Sequence, residues 1–365
     1  MSETVEIAIH DISRGGSGVG KTSAGQVVFV PFTAPGDHIL AQITKQKKYY
    51  THARILEILK PSPLRVTPQC PVFGVCGGCE WQHLSYELQW KTKSTGALKT
   101  LSRAGVAITC PVEEFPATNP WNYRNRIQLR GLSNQIGFRK RESTELIAIE
   151  RCYIAREEIN SNISKLKAEG KKYNQEYKLE VQVSEIGTIE STWNDVHAAL
   201  GFRQVNDEQN LKLKKWVSDN ITKNRELLDL FGGNGNLSLH LQNQMTRIEC
   251  VDVSAPASHS TQKIKFVPWP VEKWLRKHSL APTPNNPRSA IIDPPRIGMG
   301  KNFKLIEPEL SKISINEIIL VSCDVDSWAR DCSAFLKQGW KLEKIALFDL
   351  FPQTHHLESV AKWVK

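Results

Sequence analysis

The sequence predicts an α/β protein in three parts: a small N-terminal β barrel, a central α+β region holding a cysteine cluster, and a C-terminal domain on an open, mostly parallel sheet. Three observations carry this. From about residue 205 onward, helical and strand patterns alternate, the mark of βα architectures. Residues 1–62 contain only short β-branched runs punctuated by Gly and Pro, as in small barrels. Between them Cys70, Cys76 and Cys79 crowd together. The expected divisions are 1–62, 63–200 and 201–365. A length of 365 residues suits two or three domains, and 40% hydrophobic residues are enough for packed cores.

In the barrel, strands are expected at 5–9, 25–31, 38–44 and 52–60. The last two flank Lys45-Gln46-Lys47-Lys48-Tyr49-Tyr50, where cations beside aromatics can hold phosphates and stack bases. Gly15-Gly16-Ser17-Gly18-Val19-Gly20-Lys21-Thr22 matches a phosphate-loop pattern. That pattern works only where a helix starts near the lysine. Here Gln26-Val27-Val28-Phe29-Val30 and Pro31 follow, a strand pattern stopped by proline, so nucleotide hydrolysis at this loop is rejected.

The central region predicts a helix at 85–103 with a basic face of Lys91, Lys93, Lys99 and Arg103, strands at 123–130, 135–139 and 145–149, and a helix at 155–167. The C-terminal domain predicts a helix at 207–222, strands at 227–231, 247–253, 263–267, 290–292 and 317–321, and a terminal strand pair near 340–350 and 357–364. The Pro- and Asn-rich stretch 281–288 reads as a surface loop.

Composition narrows the class. No apolar run reaches about 18 residues, so no membrane span is expected. The opening Met-Ser-Glu-Thr-Val-Glu has no basic segment leading into an apolar core, which disfavours secretion and favours a cytoplasmic location. Lys and Arg total 48 against 38 Asp and Glu, a net +10 that suits a polyanionic partner. Eight cysteines in such a chain do not read as a disulfide framework.

Gly77 and Gly78 permit a tight turn between Cys76 and Cys79. Three clustered thiolates need a fourth ligand; Cys152 is the best candidate, though spacing alone does not select it over Cys110. Thiolate-only ligation suits zinc or an iron–sulfur cluster, and spacing does not decide between them.

Asp229-Leu230-Phe231-Gly232-Gly233-Asn234-Gly235-Asn236 follows Leu227-Leu228 and precedes an apolar run, giving strand, glycine turn and helix. Glycines there let backbone approach a ligand, and Asp252 at the next strand end is placed for ribose hydroxyls. Asp293-Pro294-Pro295-Arg296 ends another strand. Cys323 ends the run Ile318-Ile319-Leu320-Val321-Ser322, and open α/β sheets bind ligands at that edge. Further on, Glu358 offers a proton acceptor. A thiol, a carboxylate and a cofactor pocket suggest covalent catalysis.

Taken together these motifs resemble the RNA uridine-5 methyltransferase family, and most closely its bacterial 23S ribosomal-RNA branch with a TRAM domain and a [4Fe-4S] cluster. The resemblance runs from the barrel through Cys70, Cys76, Cys79 and Cys152, Gly201–Asn206, the glycine loop, Asp293-Pro294 and Ser322-Cys323 to Phe351-Pro352-x-Thr354-x-His356-Leu357-Glu358. It implies an OB-like TRAM barrel, a cluster-binding central domain and a Rossmann-like methyltransferase domain. It implies S-adenosylmethionine at Gln204, Phe231, Asn236, Asp252 and Asp293, Cys323 as nucleophile and Glu358 as base. It favours iron–sulfur over zinc at Cys70, Cys76, Cys79 and Cys152. The implied partner is RNA, ribosomal first and transfer RNA as the alternative, acting on a flipped-out base. A monomer is expected. An inactive, RNA-binding relative and an iron–sulfur redox enzyme are the competing classes. The chain departs from the family at Gly232, usually Cys, at Asp252, more often Glu, at Asp324-Val325, usually Asn-Pro, and at Pro268-Trp269-Pro270, where an acid or amide is usual. Phe202 is a candidate for stacking on a base.

Overall fold

The structure, a computed structural model, describes residues 3–133, 135–195, 203–277 and 287–365. The chain forms two compact units. One comprises Met1–Lys93, Thr118–Leu200 and Phe351–His355; the other comprises Ser94–Ala117, Gly201–Leu350 and His356–Lys365.

The first unit begins with strands β1 (Thr4–Ile12), β2 (Gly18–Lys21), β3 (Val27–Val30), β4 (His38–Gln46) and β5 (Tyr50–Lys60). They close a barrel in the order β1-β2-β3-β5-β4. Alternate residues point inward, so Ile7, Ile9, Val28, Val30, Ile39 and Ala41 fill the interior. Strand β2 was not anticipated. It lies on the phosphate-loop lookalike and pairs with β3, Gly20 opposite Val28. Its glycines serve packing. A Cβ on Gly18 would fall 1.9 Å from the Thr33 hydroxyl, and one on Gly20 would fall 2.2 Å from a methyl of Ile7.

Along the chain come helix α1 (Tyr86–Arg103), whose residues from Ser94 onward belong to the second unit, and β6 (Val112–Phe115), also of the second unit; the first unit resumes with β7 (Arg126–Leu132), β8 (Gln135–Arg139), β9 (Leu146–Ala148), α2 (Glu157–Gly170), β10 (Tyr177–Val183) and β11 (Ile189–Trp193). Strands β7 to β11 form a sheet in the order β11-β10-β7-β8-β9. Ile159, Ile163 and Leu166 of α2 pack on Ile127, Leu129, Leu179 and Val181 of that sheet. Helix α1 and the three middle strands match the sequence reading within a few residues. Strands β6, β10 and β11 went unread.

The second unit contains α3 (Asp207–Asn220), β12 (Glu226–Leu230), β13 (Arg247–Val251), β14 (Ile264–Val267), α4 (Val271–Lys277), β15 (Arg288–Ile292), α5 (Phe303–Lys312), β16 (Ile315–Ser322), α6 (Val325–Lys337), β17 (Lys341–Phe348) and β18 (Glu358–Val364). Its eight-stranded sheet runs β14-β13-β12-β15-β16-β18-β17-β6. Strands β14 to β16 are mutually parallel. Strand β18 runs antiparallel between β16 and β17, and β6 joins β17 in parallel at the edge. Helix α3 starts where Asn206 accepts a hydrogen bond from the Gln209 backbone, an N-cap.

Two expectations need correction. No long helix follows the glycine turn; a single 3₁₀ turn, Leu239–Leu241, stands there. The Ser238 hydroxyl is tied back to Asp229 at 2.5 Å, and Thr246 already pairs with Arg225 ahead of β13, leaving too little chain for a helix. In the expected loop 281–288, Arg288 instead opens β15 and is buried. Residues 281–286 and Phe202 lie outside the described residues.

Candidate active site

The C-terminal ends of β12 and β15 border a cleft of ≈ 330 Å³ lined by Gln204, Asp229, Phe231, Gly232, Gly233, Asn236, Leu237 and Asp293. Four of the five expected cofactor residues, Gln204, Phe231, Asn236 and Asp293, therefore share one wall. The fifth does not line it. Asp252 follows β13, and its carboxylate accepts from the backbone and hydroxyl of Ser254 at 2.7 and 2.6 Å. The turn is built for close approach. Phe231 has φ +62° and Gly233 φ +55°, backbone that side-chain-bearing residues rarely adopt. The Phe231 amide bonds Val251 at 2.9 Å. Asn236 exchanges two 3.0 Å hydrogen bonds with Asn210, which fixes its amide.

The cleft collects acid groups. Burial pushes Asp229 up to about 6, with the Asp252 charge adding to the effect and the Ser238 hydroxyl opposing it. One Asp229 oxygen, Oδ1, has no hydrogen-bond partner. Desolvation, with the charges of Asp229 and Asp252, pushes Asp293 up to about 7. Such a wall suits a cationic ligand, because a positive charge stabilises the ionised carboxylates.

Cys323 lies one residue beyond β16, just before the N-terminus of α6. Ser322 pairs with Ser359 across β16 and β18, so the next step of the antiparallel ladder sets Cys323 opposite Glu358. Burial, with the charges of Glu358 and Asp293 adding to it and Arg296 opposing, pushes the Cys323 thiol up to about 12. Burial, with Asp293, also holds Glu358 well above the ordinary carboxylate range, again opposed by Arg296. Glu358 is 1% exposed and its Oε2 has no hydrogen-bond partner. Asp324 is turned away to cap α6, accepting from the Ser327 backbone at 2.9 Å. Arg330 is engaged by the Ile297 carbonyl and by Asp331, which leaves Arg296 as the cation acting on the thiol.

The four cysteines of the first unit lie close enough to raise one another's proton affinity: Cys79 feels Cys152, Cys76 and Cys70, and Cys76 feels Cys152 and Cys70. Burial is the larger cause and takes Cys79 to about 12. Neighbouring backbone amides favour the thiolates, those of Val72 and Phe73 at Cys70, of Gly78 at Cys76, and of Ile154 and Ala155 at Cys152. Buried thiols supplied with N–H donors are a donor set for a thiolate-ligated metal group. As they stand, no three Cys, His, Asp or Glu side chains among the described residues converge into a metal-holding group, so ligation requires the sulfurs to draw closer.

Residues 2–56 match the TRAM domain family, and residues 185–265 and 276–363 match the tRNA (Uracil-5-)-methyltransferase family. An RNA methyltransferase of Bdellovibrio bacteriovorus is 31% identical over 99% of this chain and 95% of its own length. This chain belongs to the RNA uracil-5 methyltransferase family. Within the family, the 23S rRNA (uracil(1939)-C(5))-methyltransferase RlmD of Legionella pneumophila is 28% identical over 100% of this chain and 97% of its own length. The tRNA (uracil-54, C5)-methyltransferase of Pyrococcus abyssi, solved with S-adenosyl-L-homocysteine, is 21% identical with a TM-score of 0.73 over 99% of each chain, which shows a common fold.

Membership of the family makes the departures informative. Gly232 has no room for a side chain: a Cβ would fall 2.5 Å from the Asp229 carboxylate and 2.6 Å from the Cys250 sulfur. The Cys250 sulfur from β13 thus occupies the space beside Gly232 that a side chain would need. Sequence reading missed Cys250 and also Asn210, the partner of Asn236. Neither has a local signal, because each acts from a different element. At the end of β14 the Trp269 amide is spent on the Val267 carbonyl at 2.9 Å.

Proposed function

We propose that this protein methylates C5 of a uridine in ribosomal RNA through transient addition of Cys323 to C6 of the base. The observation that carries this reading is the placement of Cys323 against Glu358 across the β16–β18 ladder, with Asp293 of the cofactor cleft close enough to act on both. Uracil C5 is a weak nucleophile because its electrons are shared with the ring carbonyls. When the Cys323 thiolate, its proton already released to solvent, bonds to C6, the C5–C6 double bond is lost and its electron pair gives C5 carbanion character. S-adenosylmethionine, when bound, supplies an electrophilic methyl group on a sulfonium. C5 takes that methyl and then carries both a methyl and a hydrogen. Glu358 removes the hydrogen as a proton, the electrons re-form C5–C6, and the sulfur leaves. A buried carboxyl with raised proton affinity is a stronger base than a surface one. Arg296 and the N-terminus of α6 favour the thiolate.

The cleft wall of Gln204, Phe231, Asn236 and Asp293 would hold the methyl donor, with Asp252 taking part from the neighbouring strand. Ribosomal RNA is preferred over transfer RNA because two full-length relatives, at 28% and 26% identity, carry 23S rRNA names; the TRAM barrel and the Lys45–Tyr50 tip would grip the strand. Cys70, Cys76, Cys79 and Cys152 would hold a [4Fe-4S] cluster, whose contribution is to tie their loops together rather than to move electrons. Purified protein then shows iron and sulfide in equal amounts with broad visible absorption; zinc alone refutes the assignment.

The deciding experiment compares two variants on unmodified 23S rRNA transcribed in vitro. Cys323→Ala should abolish methylation and keep S-adenosylmethionine binding. Glu358→Gln should accumulate a covalent protein–RNA adduct. Normal turnover by either variant removes the mechanism, and 5-methyluridine appearing only in transfer RNA removes the ribosomal assignment.

A further inference from the structure

The loop that leaves β15 carries an exposed hydrophobic side chain on a tied backbone. Ile297 is 77% exposed, the most of any large hydrophobic among the described residues of the second unit. A single exposed apolar residue is ordinary. What sets this one apart is how it is held and where. The Gly298 amide donates to the Pro295 carbonyl at 2.6 Å, closing a tight turn at Ile297. The Ile297 carbonyl accepts from the Arg330 guanidinium, and the Met299 amide donates to the Asp331 carboxylate at 2.8 Å. Gly298 has φ +69°, and a Cβ there would fall 2.5 Å from Asp331 and 2.7 Å from Arg330, so the loop lies directly on α6. Asp331 is buried, which places this tie out of water. The backbone on both sides of Ile297 is thus fixed while its side chain stands in solvent.

Its place is the reacting edge of the sheet. Strands β15 and β16 run parallel, with Ile292 beside Leu320, so the loop bearing Ile297 and the end of β16 bearing Cys323 leave the sheet at the same edge. Helix α6, which holds the loop, starts two residues after Cys323. Arg296, next to Ile297, acts on both Cys323 and Glu358. Val253, the next most exposed in this unit, follows β13, which β12 and β15 separate from β16. A stacked uridine must leave its stack before a protein group can reach C6, and proteins that open a stack frequently insert an apolar side chain between base steps. We infer that Ile297 is such a wedge, entering the RNA stack beside the target uridine and holding the gap open while the base is out. The inference rests on the proposed methylation at Cys323. A β-branched side chain is stiff at χ1, so ordering it between bases costs little entropy, and covering it with base faces removes apolar surface from water. The ties to Arg330 and Asp331 keep it from yielding when it meets the stack.

The test sets stacked against unstacked RNA. Ile297→Ala and Ile297→Leu are compared with the wild type on a folded 23S rRNA transcript fragment and on an unstructured oligonucleotide carrying the same uridine. On the folded fragment, single-turnover methylation by Ile297→Ala should fall by about 10-fold to 100-fold. On the oligonucleotide, where little stacking opposes extrusion, the loss should shrink below about threefold. Ile297→Leu, which keeps the apolar bulk, should recover most of the rate. In a Cys323→Ala background, 2-aminopurine placed beside the target uridine should brighten when protein binds, and adding Ile297→Ala should remove that rise. An undiminished rate of Ile297→Ala on the folded fragment overturns the inference. So does an equal loss on both RNAs, which marks a general defect, or a fluorescence rise that survives Ile297→Ala. If the wild type methylates neither RNA, or Cys323→Ala turns over normally, the methylation reading itself fails and the wedge falls with it.

Discussion

Two glycine-rich segments look alike on paper and diverge in the fold. Gly15–Lys21 matches a phosphate-binding pattern letter for letter, and half of it is a barrel strand, β2, with Gly18 and Gly20 turned inward against Thr33 and Ile7. Gly232–Gly235 matches no nucleotide pattern, and Gly232 and Gly233 line the proposed cofactor cleft. The difference lies in what precedes and follows. The first segment sits between short antiparallel strands, so its glycines relieve crowding. The second leaves the end of a buried parallel strand, where an open sheet exposes its ligand-binding edge. A glycine motif is therefore read by the strand that delivers it.

The sharpest way to break this comparison is to put one methyl group in each place. Gly232→Ala should weaken S-adenosylmethionine binding by about 100-fold, because the new Cβ has no room beside Asp229 and Cys250; calorimetric affinity within threefold of wild type would contradict the cleft. Gly20→Ala should cost about 1–3 kcal/mol of stability through overpacking and leave the cofactor affinity of the folded protein unchanged, as checked by denaturant unfolding alongside the same titration.

A smaller effect sharpens the chemistry of the second loop. Asp229, near 6, and Asp293, near 7, hold their protons below those values and shed them above. A sulfonium cation favours the ionised forms, so affinity for S-adenosylmethionine should rise by about tenfold between about pH 5 and pH 8. S-adenosylhomocysteine, without that charge, should change far less; equal pH profiles would refute the electrostatic role. The smallest effect belongs to the lookalike. Lys21 is exposed, and Lys21→Ala should alter stability by no more than about 0.5 kcal/mol and methylation not at all; a fall in activity would revive the phosphate-loop reading.

How much was legible follows from where each signal resides. The parallel strands announced themselves because burial on both faces makes a run such as Ile318–Val321 continuously apolar. Cys323 and Glu358 stood out by residue type at strand ends. Strand β6 did not, since Val112–Phe115 is a four-residue edge strand whose pairing to β17 is purely tertiary. Helices α4, α5 and α6 went unread, α6 despite its Asp324 cap, and Pro308 inside α5 disguised that helix. Asn210 and Cys250 act across elements, which no window along the chain can see. The cysteines were found by spacing, while the amides that favour their thiolates emerged only in the fold.

The central position of β18 has a consequence for the making of the protein. Strands β16 and β17 do not touch; each pairs with β18, which arrives after both in the chain. At about 5–20 residues per second of synthesis, the sheet of a nascent chain stays split between β16 and β17 until β18 has been made. On the proposed mechanism, the thiol waits that long for its opposing acid.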